Sequence, residues 1–451
     1  MDHQVTLTEM LDAREKRAFQ QQKLLEKYHC TTICFTMNIA GPVKNNPLIL
    51  RGFQLGKRLL EERMGALKIK PIYFEESNEG TGNEAFYVLD REPLMIKRIT
   101  SDIEDGSDLG RLFDMDVLRA DGQKVDRTEL GLRPRSCLIC GKSAKECSRS
   151  RIHSVLELQH RTKQLLIEAI EETDAQDAAK LAIRALLYEV CTTPKPGLVD
   201  CVNSGSHKDM DIFTFMNSAS ALFPYFDTCV KIGKQTSNLP AAVTFTRLRS
   251  AGKKAEADMF SATKGINTHK GAIFSIGILC SALGRLSRNQ WKMPEIILKE
   301  CAVIAEGLVD SDFSNLTKEN AVTSGQKLYL QYHITGIRGQ IEAGLPAVQY
   351  AGLPILKKGL ANGLNMNDAG CAALLTLMVS TTDTNLIARS DITTQQKTVQ
   401  TIKEILIQTP YPDKQILEQL DQIFIGKNLS PGGSADLLAI CYFLYFLESE
   451  A

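Results

Sequence analysis

The feature that most constrains the fold is a change in the spacing of apolar residues along the chain. Between Thr31 and about Leu130, short runs of β-forming residues alternate with turn-forming segments, and one helical segment, PLILRGFQLGKRLLEERM, interrupts them. From about Leu181 onward, apolar residues recur at helical spacing and convincing strands are absent. Because a helical pattern does not suit a strand, nor a strand pattern a helix, the sequence predicts two units of different class.

The predicted fold is multidomain, with an α+β unit over residues 1–175 followed by an all-α unit over residues 176–451. The boundary is predicted within Glu171–Asp177, where the segment EETDAQD breaks the apolar pattern between two helical stretches. Five strands are predicted in the first unit, from the runs TICFTMNI, IYFEE, AFYVLD, LMIKRI and GRLFDMDVL.

The charge balance limits the partners of the protein. Lys plus Arg and Asp plus Glu both total 53, so the formal net charge is zero. A nucleic-acid binder or a polybasic membrane protein normally carries a surplus of positive charge, so we expect neither partner. The start of the chain lacks the apolar core of a secretory signal. The apolar run Leu437–Leu447 is too short to span a bilayer and is predicted to be a buried helix. The 12 cysteines are therefore expected to be reduced thiols of a cytoplasmic protein.

Two carboxylates in GRLFDMDVL are candidate metal ligands. Asp114 and Asp116 are two residues apart on a predicted strand, so both side chains point to one face. This spacing suits a Mg²⁺ that bridges phosphate oxygens, a pattern that recurs in nucleotidyltransferases, so the first unit is predicted to be nucleotidyltransferase-like. The alternative is an exposed strand face with two solvated acids.

Two further segments of the first unit are candidate anion or metal sites. In AGPVKNNPLILRGF, Asn46 is a predicted N-cap flanked by Lys44 and Arg51, which is either an anion site at a helix N-terminus or a simple connection. The order of Cys137, Cys140, Cys147 and His153 is typical of tetrahedral zinc, with reduced thiols beside a basic loop as the alternative. The candidate phosphate ligands around these cysteines are Arg133, Arg135, Arg149 and Arg151.

Four polar loops open or join helices in the second region. Cations suit phosphates, and carboxylates suit a Mg²⁺ ion, so these loops together predict one nucleotide pocket. We also expect His269 to exchange a proton near pH 7. The candidate residues are Lys195, His207, Lys208, Asp209 and Asp211 in the first loop, Lys264, Asn267, His269 and Lys270 in the second, Asp383 and Asn385 in the third, and Gly432, Gly433, Ser434 and Asp436 in the fourth.

At these motifs the sequence resembles two enzyme families. GPVKNNPLILRGFQLG, GRLFDMDVL and RPRSCLICGKSAKECSRSRIHS are similar to the apo-citrate lyase phosphoribosyl-dephospho-CoA transferase family. TPKPGLVDCVNSGSHKDMDIFTF, ATKGINTHKGAIF and SPGGSADLLA are similar to the triphosphoribosyl-dephospho-CoA synthase family. The resemblance extends from about Thr31 to the C-terminal helix, in the order of a natural fusion of the two enzymes.

The resemblance implies two consecutive steps. The helical half would join ATP to 3′-dephospho-CoA with loss of adenine, and the first half would transfer the product to a serine of the acyl carrier (gamma) subunit of citrate lyase with release of pyrophosphate. The implied catalytic candidates are Asp209, Asp211 and His269 in the second half and Asp114 with Asp116 in the first, each acid pair with Mg²⁺. The implied phosphate ligands are Lys44, Arg51, Lys195, Lys208, Lys264 and Lys270.

Three alternatives are also compatible with the sequence. The first is the equivalent prosthetic-group pathway of malonate decarboxylase, which differs in the carrier protein that accepts the group. The second makes the N-terminal half a zinc-ordered module that binds the carrier without catalysis. The third makes the helical half a hydrolase of nucleotide glycosidic bonds.

Overall fold

The structure is a computed structural model and describes residues 2–450. It contains two compact units, of which the first ends at Thr173 and the second begins at Asp174. The strands of the first unit are β1 (Thr31–Met37), β2 (Tyr73–Glu79), β3 (Gly82–Leu89) and β4 (Phe113–Leu118). Its helices are α1 (Leu7–Tyr28), α2 (Pro47–Ala66), α3 (Pro93–Asp105), α4 (Ala144–Arg149) and the first part of α5 (Val155–Cys191).

The division between the units falls inside α5. This helix continues through Glu171–Asp177, the segment in which the sequence predicted the boundary. The polar residues of EETDAQD interrupt the apolar pattern without ending the helix, since none of them is a proline or a glycine.

The four strands form one antiparallel sheet in the order β2-β3-β1-β4. In β4, Phe113, Met115 and Val117 are fully buried in the main core of this unit, whereas Asp114 and Asp116 lie on the other face. The predicted alternation along this strand is therefore confirmed. Pairing with β1 places Asp114 opposite Thr36 and Asp116 opposite Cys34.

The face that carries the two acids is partly covered by α1. Arg17 of this helix forms an ion pair with Glu84 of β3. A small apolar cluster of Leu24, Cys34, Phe86 and Val88 fills the space between the helix and the sheet. The second face of the sheet is thus apolar at one end and polar where Asp114 and Asp116 lie.

One of the predicted strands is wrong. LMIKRI lies within α3, which Pro93 begins at the first helical position. Ile96 and Ile99 are buried in the core, with Ile103 packed against it, at intervals that place them on one side of a helix. Packing of this apolar stripe outweighs the β-propensity of the isoleucines.

In the second unit the described residues form helices joined by loops and no strand, as the sequence predicted. After the end of α5 its helices are α6 (Ile212–Ala221), α7 (Phe223–Gln235), α8 (Ala241–Ala262), α9 (Lys270–Arg285), α10 (Pro294–Ile304), α11 (Leu308–Phe313), α12 (Ser324–Tyr332), α13 (Gly336–Glu342), α14 (Leu353–Ala361), α15 (Met366–Ser380), α16 (Thr384–Arg389), α17 (Ile392–Gln408), α18 (Lys414–Gly426) and α19 (Gly432–Glu450).

The core of this unit is built around α9, α15 and α19, which are buried over most of their length. Leu437–Leu447 lies within α19, so the prediction that this apolar run is a buried helix is confirmed. Among the helices described over residues 2–450, we find none long and apolar enough to cross a membrane.

Candidate active sites

The acid pair of the first unit lies beside two cations. Lys124 Nζ lies 2.5 Å from Asp116 Oδ1, and Arg135 Nη1 lies 3.9 Å from Asp114 Oδ1. The Asp114 side chain keeps 47% of its surface exposed. Burial of the remainder, followed by the charge of Asp116, raises the pKa of Asp114. Asp114 is therefore open to a ligand, and a bound cation would favour its ionised form.

A buried glutamate that sequence analysis missed supports this pair. Glu104 on α3 is 2% exposed, accepts a hydrogen bond of 2.8 Å from the Met115 amide, and forms ion pairs with Arg127 and Arg135. It thereby ties the middle of β4 to the segment that carries Arg135. Sequence analysis gave no signal for this role, because LMIKRI, which precedes Glu104 on α3, was interpreted as a strand.

Each of the remaining predicted anion ligands of this unit has its own contacts or position in the fold. Asn46 accepts a hydrogen bond of 2.9 Å from the Ile49 amide, so its prediction as the N-cap of α2 is confirmed. Lys44 Nζ donates to the Ile39 carbonyl at 2.5 Å, and burial lowers the pKa of this lysine. Arg51 lies in the first half of α2, and Arg149 is exposed at the end of α4.

The four candidate zinc ligands lie together. The sulfur atoms of Cys137, Cys140 and Cys147 and one ring nitrogen of His153 are all within 4.8 Å of one another. Cys137 and Cys147 are buried, and Cys140 is exposed.

In the helical unit, residues of all four predicted loops line one cavity of about 800 Å³. This volume is within the range of about 300–1,000 Å³ that is usual for small-molecule sites. The predicted residues that line it are Lys195, His207, Asp209, Asn267, His269, Lys270, Asp383, Asn385, Gly432, Gly433 and Asp436. Lys208, Asp211, Lys264 and Ser434 do not belong to the lining.

Two of the residues outside the cavity have structural contacts of their own. Asp211 is the N-cap of α6, where its Oδ1 accepts a hydrogen bond of 2.9 Å from the Thr214 amide. Ser434 donates both its amide and its hydroxyl to Asp383 Oδ2, at 2.8 and 3.0 Å. A cap carboxylate is already engaged with backbone groups, so Asp211 is less suited to a metal than Asp209.

Lys195 forms a buried ion pair with Glu189, a residue near the end of α5 that sequence analysis missed. Lys195 is 1% exposed, and its ammonium group also donates to the Glu189 carbonyl at 2.8 Å. Asp200 holds the loop from the other side by accepting the Lys195 amide at 3.0 Å and the Thr193 hydroxyl at 2.7 Å. Burial raises the pKa of Glu189, and the charge of Lys195 opposes the rise. The lysine predicted as a phosphate ligand thus neutralises a buried carboxylate.

Two further carboxyl groups lie in the cavity wall. Asp383 caps α16 through the amides of Asn385 and Leu386, at 2.9 and 3.1 Å, and its other oxygen accepts from Ser434. Burial raises the pKa of Asp383. Burial also raises the pKa of Asp436 well above its ordinary value, and the charges of Glu189 and Asp383 increase this rise. Asp436 consequently binds a proton more tightly than an ordinary aspartate does.

Gly271 allows Asp436 to occupy its position. A β-carbon at Gly271 would collide with Asp436 Oδ2, so any side chain there would displace the carboxyl group. The Gly271 of the predicted loop therefore has a steric function beside the cavity.

His269 is neutral in the folded protein. Its Nδ1 lies 2.7 Å from the Ser218 hydroxyl, which also accepts from Thr268. Burial, followed by the charge of Lys195, lowers the pKa of His269 to about 3. A pKa this low does not favour the expected exchange of a proton by His269 near pH 7. Its Nε2 is buried and lacks a hydrogen-bond partner within residues 2–450, so this nitrogen can contact a ligand.

His207 and Arg389 lie together in the cavity wall. His207 Nε2 is 2.9 Å from the Ser430 hydroxyl, and Arg389 Nη2 is 3.1 Å from His207 Nδ1. Burial, followed by the charge of Arg389, lowers the pKa of His207. Lys270 and Arg338 also line the cavity. Sequence analysis missed Arg338 and Arg389, because only their position in the fold distinguishes them from other surface arginines.

Comparison with known proteins gave matches over both units. Residues 175–451 match the family model described as ATP:dephospho-CoA triphosphoribosyl transferase. Residues 5–169 match the family model described as apo-citrate lyase phosphoribosyl-dephospho-CoA transferase.

Two relatives that match over nearly their whole length and one shorter relative are also found. A protein of Haemophilus influenzae named Protein CitXG is 35% identical, with 97% of this chain and 96% of the relative covered. A protein of the same name from Leuconostoc mesenteroides subsp. cremoris is 35% identical, with 98% and 97% covered. A 2-(5''-triphosphoribosyl)-3'-dephosphocoenzyme-A synthase of Haemophilus ducreyi is 39% identical, with 68% of this chain and 99% of the relative covered.

Proposed function

The chain belongs to both of these families, joined in one polypeptide, and is a transferase with two activities; we propose that each unit contains the site of one of them. The helical unit joins ATP to 3′-dephospho-CoA with release of adenine. The α+β unit transfers the resulting phosphoribosyl-dephospho-CoA group to a serine of the citrate lyase acyl carrier subunit with release of pyrophosphate.

The observation that supports the first activity best is the cavity of the helical unit, which has acids and cations in its wall. Glu189, Asp383 and Asp436 supply carboxyl groups, and the cations are Lys270, Arg338 and Arg389. Transfer of a ribosyl group passes through a transition state with positive charge on the sugar, so nearby carboxylates stabilise it. A triphosphate needs cations for its oxygens. The cavity contains both kinds of group.

We assign the proton acceptor of this step to Asp436. The 2′-hydroxyl of dephospho-CoA forms a bond to the anomeric carbon of the ATP ribose, and the bond from that carbon to adenine breaks with its electron pair on adenine. The hydroxyl proton passes to the Asp436 carboxylate, and adenine takes up a proton from water. In its ionised form, a carboxylate with a raised pKa is a stronger base than an ordinary aspartate. His269, which is neutral, binds a substrate group through Nε2 and does not act as the base.

The second activity is assigned to Asp114 and Asp116 with Arg135. Both carboxylates lie on one strand face, and Asp114 is about half exposed, so the pair fits a Mg²⁺ ion, which prefers carboxylate oxygens. Such an ion would neutralise charge on the transferred phosphate. Arg135 is placed to bind a phosphate oxygen beside Asp114. In the helical unit, the exposed carboxylate of Asp209 is the corresponding candidate for the Mg²⁺ that accompanies ATP.

The test is mass spectrometry of the apo acyl carrier after incubation with this protein, ATP, dephospho-CoA and Mg²⁺. We expect a mass increase equal to the phosphoribosyl-dephospho-CoA group, and adenine in the supernatant. Asp436→Asn should lower adenine release at least 100-fold, since a general base contributes about 10²–10⁴-fold. Asp114→Asn should abolish carrier modification and leave adenine release unchanged.

Exposed acids provide matched controls. Asp258→Asn on α8 and Asp102→Asn on α3 remove the same charge from exposed positions and should change neither reaction. Adenine release that does not require dephospho-CoA would favour a glycosidic hydrolase instead. Carrier modification that survives Asp114→Asn would refute the assigned metal pair, and modification of a malonate decarboxylase carrier in preference to that of citrate lyase would refute the acceptor.

A further inference from the structure

We propose that Cys137, Cys140, Cys147 and His153 form a structural zinc site in the α+β unit. The four ligand atoms lie within 4.8 Å of one another, although the residues span two separate turns and a short helix. Ligands at about 2.0–2.3 Å from a tetrahedral Zn²⁺ lie about 3.5–3.8 Å apart, so a small movement of side chains is enough to surround the ion. The inference does not depend on the two proposed reactions.

The backbone around the first two cysteines is arranged as a tight hairpin. The Cys137 amide donates to the Lys142 carbonyl at 2.6 Å, and the Gly141 amide donates to the Cys137 carbonyl at 3.2 Å. Gly141 has φ +72°, a left-handed conformation that glycine adopts without strain. The Ile139 amide points at Cys137 Sγ at 3.5 Å. Backbone amides directed at a sulfur stabilise a thiolate, which is the form that binds zinc.

The other two ligands, Cys147 and His153, follow this hairpin in the chain. Cys147 lies on α4, and its Sγ is 3.4 Å from that of Cys140. The chain turns after α4, where the Ile152 amide donates to the Cys147 carbonyl at 3.2 Å. This turn brings His153 to the sulfurs, with a buried Nε2 that has no hydrogen-bond partner in the described part of the chain. A buried polar nitrogen without a partner is costly, and coordination would satisfy it.

Four protein ligands leave no position for a substrate, so the site is structural and not catalytic. It fixes the segment that begins at Arg135, two residues before the first ligand. Arg111 donates to the Ser136 carbonyl at 3.0 Å and to the Cys137 carbonyl at 2.7 Å, and Arg135 reaches Glu104 and Asp114. Zinc therefore holds the loop whose arginine lies beside the acid pair. Three thiolates and one Zn²⁺ carry a net negative charge, which these arginines offset.

A disulfide between Cys140 and Cys147 is the competing interpretation of the short sulfur–sulfur distance. Both sulfurs would then be lost to thiol reagents, and neither would bind an ion. The two interpretations differ in metal content and in thiol count, and both quantities can be measured on the full-length protein without an activity assay.

The experiment is elemental analysis of the purified full-length protein, together with thiol titration after denaturation in a chelator. We expect about one zinc per chain and reaction of all 12 thiols. Cys147→Ala and His153→Ala should lose most of the zinc, and the matched control Cys30→Ala, outside the cluster, should keep it. Replacement of zinc by Co²⁺ should give the visible absorption of a tetrahedral site with thiolate ligands.

Limited trypsin digestion tests the role of the ion. Lys142, Arg149 and Arg151 are exposed around the ligands, so removal of zinc should speed cleavage there at least tenfold, and added zinc should restore protection. The proposal is overturned if the wild-type protein contains no zinc and takes up no Co²⁺, if two thiols are missing from the count, or if Cys147→Ala retains zinc as Cys30→Ala does. The wild-type measurement decides the matter even if a variant fails to fold.

Discussion

At the scale of the residue, burial decides the chemical state of the groups that the sequence names. His269 and Lys195 are both in polar loops, and from sequence each is a candidate to meet a phosphate or a proton. In the fold, His269 is 3% exposed and Lys195 is 1% exposed and paired with Glu189. Transfer of a charged group from water into the protein interior is costly, so the histidine becomes neutral and the lysine acquires a carboxylate partner.

The lowered pKa of His269 predicts a stability that depends on pH. The pKa is about 3 in the folded protein and about 6.5 in the unfolded chain, so the unfolded chain binds the proton more readily. The contribution of His269 to stability is complete above pH 6.5 and is lost as the pH falls toward 3. Between pH 7 and pH 5 the loss from this one group is about 2 kcal/mol.

His269→Gln removes this contribution and keeps a polar side chain. Denaturant unfolding followed by the fluorescence of the single tryptophan, Trp291, reports on the helical unit. Between pH 7 and pH 5, the free energy of unfolding of the wild-type protein should fall by about 2 kcal/mol more than that of the variant. The exposed His333 in the same unit offers the control His333→Gln, which should follow the wild type. Equal losses in wild type and His269→Gln would contradict the lowered pKa.

At the scale of the element, apolar periodicity predicts most of the structure, and the errors have a physical cause. The alternation in β4 placed Asp114 and Asp116 on one face, and the structure confirms it. The prediction of LMIKRI as a strand was wrong because its β-branched residues also fit the apolar stripe of α3. Both α3 and β4 contribute to the first site, since Glu104 of α3 accepts the Met115 amide of β4. An error in one element therefore concealed a residue of the site.

Close approach of α7 and α9 predicts a sensitive glycine. A β-carbon on Gly284 of α9 would collide with the Val230 carbonyl of α7, and neither backbone can move without disturbing the core. Gly284→Ala should lower the free energy of unfolding by about 1–3 kcal/mol, in spite of the better helix propensity of alanine. Chemical denaturation followed by Trp291 fluorescence measures the change.

Gly426 is the matched control, because it ends α18 and its β-carbon would meet no atom within 4 Å. Gly426→Ala should be neutral or stabilising by up to about 1 kcal/mol. If the two alanine variants had the same stability, close packing of α7 and α9 at Gly284 would not determine the effect of the substitution.

At the scale of the whole molecule, the chain carries its two candidate sites in separate units. The acid pair and Arg135 belong to the unit that ends at Thr173, and every residue that lines the cavity belongs to the unit that begins at Asp174. The family matches divide at nearly the same place, with residues 5–169 and 175–451. No residue is shared between the sites in the described chain, so a lesion in one should leave the other intact.

This separation predicts complementation between two inactive variants. Asp436→Asn should fail at the first step and Asp114→Asn at the second, and neither alone should modify the carrier. An equimolar mixture should restore modification, because the intermediate made by one chain can diffuse to the other. Mass spectrometry of the carrier gives the measurement. A mixture that releases adenine yet leaves the carrier unmodified would contradict independent sites with a released intermediate.

The sequence by itself determined the class of each unit, the helix α2, the four strands of the sheet, the loops around the cavity and the two families. These follow from local periodicity, turn residues and motifs, which are properties of neighbouring positions. Only the tertiary structure decided that Glu104 and Glu189 join the sites, that Asp211 and Ser434 have other contacts, and that His269 is neutral. Contacts such as that of Gly197 with Asp421 join residues more than 200 positions apart, and protonation depends on the burial that such contacts create.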